Sequence, residues 1–269
     1  MRGLVLSIVA VVLALTLPAS AETKTICTLI ADADSGRTLV EEGDCAKRMS
    51  PASSFKIAIS LMGFDAGILT SPSAPELPFR KGYASWRPEW KRPATPARWM
   101  KYSVVWYSQQ VTQRLGEKRF KGYVEKFGYG NRDVSGDPGK ANGLTNAWLS
   151  SSLQISPAEQ VDFLRKLVRR ELPVSEAALA NTAAILDYGV QPGGWQTYGK
   201  TGTGIPRGAD GRSLKDERFG WFVGWAQRDG RTVVFARLIK DSPRQSTPQG
   251  LQARDGLMAD LFGEKSPLD

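Results

Sequence analysis

The stretch Ser50-Pro51-Ala52-Ser53-Ser54-Phe55-Lys56-Ile57-Ala58-Ile59-Ser60-Leu61-Met62 joins a helix start to an apolar run that carries a single lysine. Ser50 is the expected N-cap and Pro51 the first helical position, where its missing N–H costs nothing. Apolar residues then fall on every side, and a helix of that kind is buried. Ser53 and Lys56 are three apart and share one helix face, so the amine can reach the hydroxyl. The first turn also leaves backbone N–H groups without intrahelical partners, and the helix dipole favours negative charge there. Those are suitable surroundings for a nucleophile whose attack creates an oxyanion. Burial makes the charged form of a lysine costly and lowers its pKa, which makes Lys56 a candidate base. A Ser-x-x-Lys spacing alone is common; here the apolar setting gives it weight.

Two scarcities narrow the chemistry. The 269-residue chain has no histidine and only two cysteines. Ser-His-Asp and Cys-His machinery are excluded, as are His-based zinc sites and His-ligated haem. A base must come from Lys, Tyr, Asp or Glu. Hydrophobic residues make up 41% and charged residues 23%, as in an ordinary globular protein, and the formal net charge is +9. Because Lys and Arg are interspersed with Asp and Glu, the charge reads as a solvated basic surface and not as a nucleic-acid interface.

The N-terminus shows Arg2, an apolar run from Leu4 to Leu17, and Pro18-Ala19-Ser20-Ala21. This is the pattern of a cleavable secretory signal, with cleavage expected after Ala21. The run is shorter than the roughly 20 residues of a bilayer span. No membrane attachment is expected after processing. Export meets an oxidising compartment, so the cysteines matter. Thr25 to Ala31 and Thr38 to Glu42 read as strands joined through Asp32-Ala33-Asp34-Ser35-Gly36. A turn centred near Gly36 sets Cys27 opposite Cys45, and a bridge between them is the expectation, with two free thiols the alternative.

Helices are expected at 100–115 and 118–126, after a Pro- and Trp-rich irregular stretch at 71–100. Ser156-Pro157-Ala158-Glu159 is a capping box, followed by Val161, Phe163, Leu164, Leu167 and Val168 at helical spacing. Trp195 to Gly199, Phe219 to Gln227 and Thr232 to Lys240 read as strands, the last two joined at Arg228-Asp229-Gly230-Arg231. A final helix is expected over Leu251 to Phe262. The fold class is therefore α/β of the α+β type: an antiparallel sheet built from N- and C-terminal strands, flanked by helices, with an inserted all-helical lobe. Residues 22–269 form one domain, with 22–60 and 191–269 as the sheet lobe and 61–190 as the mainly helical lobe.

Two further motifs follow Ser53-x-x-Lys56 in order: Ser103-Val104-Val105, on a predicted helix, and Lys200-Thr201-Gly202, after a predicted strand. The ordered set resembles the penicillin-recognising serine enzymes. In detail the chain is similar to the class D β-lactamases, the oxacillinase family. Supporting pieces are Pro51 to Lys56, Lys101 to Val105, Tyr129-Gly130-Asn131, Ala147-Trp148-Leu149, Lys200 to Thr203 and Phe219 to Trp225. The class A pattern fits worse, because its second element is Ser-Asp-Asn and no Glu-x-x-Leu-Asn is present.

The resemblance implies a β-lactamase/transpeptidase-like fold, a periplasmic location and a small-molecule β-lactam substrate. It implies a Ser53 acyl-enzyme and a Lys56 base N-carboxylated by carbon dioxide, with no metal or other cofactor. Trp148 would hydrogen-bond the carbamate, Val105 would keep its pocket apolar, and Ser103 would relay a proton. Lys200, Thr201, Gly202 and Thr203 would face the substrate, the Ser53 and Thr203 N–H groups making the oxyanion hole. Arg254 would anchor the substrate carboxylate, with Arg244 a competitor. Monomer and homodimer both remain open. Two other readings compete: a penicillin-binding sensor or transpeptidase acylated without turnover, and a non-enzymatic basic surface binder.

Overall fold

The chain runs through strands β1 (Glu22–Asp32) and β2 (Thr38–Gly43), then a 3-10 helix (Ala52–Phe55) continuous with helix α1 (Lys56–Asp65). Helices α2 (Pro96–Tyr102), α3 (Val105–Leu115), α4 (Glu117–Phe127), α5 (Gly143–Asn146), α6 (Pro157–Val168) and α7 (Glu176–Leu186) follow. Strands β3 (Asp187–Gln191), β4 (Trp195–Gly204), β5 (Arg218–Arg228) and β6 (Arg231–Ser242) lead to helix α8 (Gln249–Phe262). This computed structural model describes residues 22–208, 210–242 and 246–268. The candidate signal at 1–21 and Arg244 lie outside the described residues.

All neighbouring strands are antiparallel, in the order β2-β1-β6-β5-β4-β3. The N-terminal strand lies beside the C-terminal one, and helices α1 to α7 form the insertion between β2 and β3. The expected fold class holds. Strand β5 is central and buried on both faces, so its side chains sort by parity. Phe219, Trp221, Val223 and Trp225 join the large core shared with the inserted helices. Phe222 and Ala226 face the smaller core with Ala253, Leu257 and Leu261 of α8. Gly220 lies on the α8 side, where an added Cβ would come within 2.2 Å of the Gln249 carbonyl carbon; glycine there lets the helix approach the sheet.

Three sequence expectations need correction. The hairpin register differs: Cys27 pairs with Gly43, not Cys45. The turn is centred earlier in the chain than assumed, because the Asp32 carboxylate accepts from both the backbone N–H (2.9 Å) and hydroxyl (2.6 Å) of Ser35, and Gly36 N–H returns to Asp32 O. A bulge between Ile30 and Ala31 completes the shift. Cys45 lies past the strand end yet is bonded to Cys27, with Cα atoms 5.0 Å apart.

Ser50 is not a cap either. Its hydroxyl donates to Trp148 O (2.8 Å) and accepts from Ser150 N–H (3.0 Å). Ala52, the first residue of the 3-10 helix, takes a left-handed φ of 49°, and α1 begins at Lys56. Finally, Ser103 is not inside a helix. It ends α2 in the left-handed region (φ 57°, ψ 38°), Val104 is extended, and α3 restarts at Val105. The capping box at Ser156 forms as expected, with both reciprocal bonds. Strand β3 carried no sequence expectation.

Candidate active site

Ser53 and Lys56 come together because residues i and i+3 eclipse in a 3-10 helix. Lys56 Nζ lies 3.2 Å from Ser53 Oγ. Lys56 is fully buried. Burial foremost, then the positive charges of Lys200 and Arg87, hold its pKa well below the ordinary lysine value. The neutral amine is thus the form the fold favours, and it is the form that can accept a proton or react with an electrophile.

The turn that carries Ser53 is fixed from three sides. Ser54 Oγ donates to Pro51 O (2.8 Å) and accepts from the Gln160 amide (2.9 Å) on α6. Trp221 of β5 donates its indole N–H to Ser50 O (3.0 Å). Strand β4 closes the third side: a Cβ on Gly202 would stand 2.9 Å from Pro51 O and 3.3 Å from Ser53 N. Only glycine lets β4 pass this close, and Thr201 and Thr203 on either side of it line the same cavity as Ser53.

Ser53 and Ser103 line one cavity of about 180 Å³ together with Val105, Leu149, Thr201 and Thr203. The left-handed break at Ser103 turns its hydroxyl into this space. Its oxygen is buried with no hydrogen-bond partner among the described residues. Trp148 is fully buried between Phe55 (ring centroids 5.7 Å) and Phe120 (6.3 Å), and its indole N–H also lacks a partner. A buried unpaired donor is costly unless an acceptor completes it.

Lys200 and Thr201 extend into a neighbouring cavity of about 570 Å³, which Arg254 also lines. Lys200 Nζ donates to Thr201 O (3.0 Å). Its pKa is lowered to about 7, chiefly by burial and further by Arg87 and Arg254. Arg254 pairs with Asp255 (2.7 Å) and remains part-exposed. Thr203 Oγ1 accepts from Gly250 N–H (2.9 Å), tying β4 to the start of α8.

Of the residues expected at the site, Ser53, Ser103, Val105, Thr201 and Thr203 share the first cavity, and Lys200 and Arg254 share the second with Thr201. Cys27 and Cys45 belong to the hairpin. Two neighbours escaped the sequence reading: Trp86 and Arg87, which line the Ser53 cavity from the irregular 71–100 stretch. No periodicity or motif marks them; only the clustering of Trp and Pro there hinted at packed irregular structure. The polar relay Gln160–Ser54 was likewise missed, since α6 read as core alone.

A family model for the penicillin binding protein transpeptidase domain matches residues 23–262. The chain is 47% identical to "Beta-lactamase OXA-9" of Klebsiella pneumoniae, over 97% of each chain. It is 38% identical to "Beta-lactamase OXA-1" of Escherichia coli, covering 85% of this chain and 80% of that one. Among solved structures, the OXA-427 class D β-lactamase superposes with a TM-score of 0.84 at 49% identity, covering 88% of this chain and 97% of that one.

Proposed function

Since the chain belongs to the class D β-lactamases, serine enzymes that hydrolyse β-lactams, we propose that Ser53 is its acylated nucleophile and Lys56, in N-carboxylated form, its general base. The observation that carries the carbamate is the Trp148 indole N–H, a buried donor with no partner among the described residues, on a ring packed against Phe55, which directly precedes the buried Lys56 whose neutral amine is favoured. A carbamate would supply an anionic acceptor for that donor and a base close to Ser53 Oγ.

Ser53 Oγ attacks the lactam carbonyl, giving up its proton to the base, while the Ser53 and Thr203 N–H groups receive the oxyanion. The carbonyl–nitrogen bond breaks, and Ser103 passes a proton to the departing ring nitrogen. A water then attacks the Ser53 ester, and the proton it loses restores the serine hydroxyl. Val105 and Leu149 limit water to the attacking molecule. Lys200 and Arg254 meet the ring carboxylate, and Arg254 is supported in that role by lining the same cavity as Lys200.

The protein acts in the periplasm on this reading. Support comes from the charged, apolar and Ala-x-Ala order of its first residues and from the Cys27–Cys45 bridge. Among the described residues no helix is long and apolar enough to cross a membrane.

Turnover of a chromogenic cephalosporin with and without added bicarbonate tests the mechanism. Bicarbonate should stimulate the wild type, and Lys56→Ala should lose about 10²- to 10⁴-fold in kcat with no response to bicarbonate. Stoichiometric acylation of Ser53 without turnover would instead indicate a sensor.

A further inference from the structure

Arg87 has no role in the chemistry above, yet it lines the cavity that holds Ser53 and Ser103. The ring-carboxylate anchors Lys200 and Arg254 lie in the adjoining cavity, which shares with the first only Thr201 and Leu251. No acidic residue lines the Ser53 cavity. Among the described residues Arg87 makes no ion pair and is exposed. Its neighbour Trp86 is 72% exposed, an unusual position for an indole, and sits 5.3 Å from the buried Trp90 ring. Trp90 is fixed by donating to Tyr102 O (2.9 Å) and accepting at its own carbonyl from Trp106 (2.8 Å), so the segment that presents Arg87 is anchored. The charge of Arg87 is felt at both Lys56 and Lys200, which places the guanidinium within electrostatic reach of the reacting groups.

We propose that Arg87, beside the Trp86 indole, forms a second anion-accepting position in the substrate cleft, selecting β-lactams whose acyl side chain carries its own carboxylate or sulfonate. A monoanionic substrate has one carboxylate, which the Lys200 and Arg254 side takes. A second anionic group on the acyl side chain meets Arg87, whose planar fork suits a carboxylate. The aryl part of such a side chain packs on Trp86. The proposal rests on Ser53 being the acylated residue and on the ring carboxylate lying toward Lys200 and Arg254.

The test compares kcat/KM for benzylpenicillin and α-carboxybenzylpenicillin, which differ by one carboxylate and share the phenyl ring. In Arg87→Gln the ratio of the dianionic to the monoanionic substrate should fall about three- to tenfold, and Arg87→Lys, which keeps the charge but loses the fork, should fall between wild type and Arg87→Gln. Raising the salt should shrink the wild-type ratio, since the position is exposed. A ratio unchanged in Arg87→Gln, or an equal fall on both substrates, would overturn the proposal; the latter would assign Arg87 to the ring carboxylate or to folding. Taking a ratio removes any change in active enzyme concentration. Mass spectrometry of the trapped benzylpenicillin adduct checks the premise separately: an adduct elsewhere than Ser53 would remove the site assignment itself.

Discussion

Burial makes the charge of either Lys56 or Lys200 expensive, and the charge of Lys200 adds to the cost of protonating Lys56. Lys56 carries the larger penalty; Lys200 has a pKa lowered to about 7 and so changes charge near neutrality. An anionic ligand should therefore bind Lys200 less well as pH rises through about 7. In bicarbonate-free buffer, the affinity for hydrolysed benzylpenicillin, followed by tryptophan fluorescence, should weaken severalfold from pH 6 to pH 8. Lys200→Arg, protonated throughout, should show no such limb. The same shift affects stability. Between pH 7 and the ordinary lysine value of 10.5 the unfolded chain holds a proton on Lys200 that the folded chain has lost. Stability must then rise with pH across that window and gain nothing below it. Thermal melts should show Tm increasing from pH 7 to pH 9, with a smaller increase in Lys200→Met. The residues behind these effects were legible because their spacing encodes their meeting: three residues for Ser53 and Lys56, a Lys-Thr-Gly run for β4. Arg87 was not, because its position depends on how an irregular, aromatic-packed segment folds, and no spacing records that.

At the scale of elements, the site depends on breaks as much as on helices. The left-handed residues Ala52, Ser103 and Ser150 stand next to Ser53, at the end of α2 and two residues after Trp148. Each costs about 1–2 kcal/mol in a residue with a Cβ and persists only where neighbours hold it. Ser150 is held most fully. Its N–H donates to Ser50 Oγ (3.0 Å), its hydroxyl accepts from Ile205 N–H (3.3 Å), and its carbonyl accepts from Arg207 Nε. Arg207 also pairs with Asp137 (2.9 Å), which accepts from Ser151 and from the amides of Asn142 and Asn146. The β4–β5 connection thus clamps the segment that carries Trp148. Arg207→Ala should let Ser150 relax and loosen Trp148, raising severalfold the bicarbonate concentration that gives half-maximal hydrolysis. An unchanged bicarbonate dependence, with Tm also measured, would limit Arg207 to a structural role. Helix capping at Ser156 and the turn at Asp229-Gly230 were legible from local chemistry. The breaks were not: Ser50-Pro51 has the sequence of a helix start, but Ser50 is drawn off to Trp148 and Ser150, about 100 residues distant in sequence, and tertiary partners outweigh the cap.

For the whole molecule, the antiparallel sheet from both chain ends was legible in the strand runs of β5 and β6 and the tight turn between them, whereas the β1–β2 register was not, because one side-chain hydrogen-bonded turn and one bulge decide it. The same hairpin determines what the disulfide can do. β2 is an edge strand held only by β1, and Cys27–Cys45 closes a loop with a sequence separation of 18 around it. In the chain-entropy account such a closure stabilises by about 3 kcal/mol. For a domain of this size, that corresponds to a Tm decrease of roughly 6–12 °C when both cysteines are replaced by serine. The active site should be far less affected. Beyond Cys45 the chain is pinned independently: Met49 exchanges backbone bonds with Ile155 (2.9 Å each), and Ser50 is held by Trp148, Ser150 and Trp221 before Ser53 is reached. Below its own melting range, Cys27→Ser/Cys45→Ser should keep kcat/KM for benzylpenicillin within about twofold of wild type while unfolding earlier on heating. A large loss of kcat/KM at 25 °C with folding intact by circular dichroism would mean that the hairpin, and not the anchors at Met49 and Ser50, sets the position of Ser53.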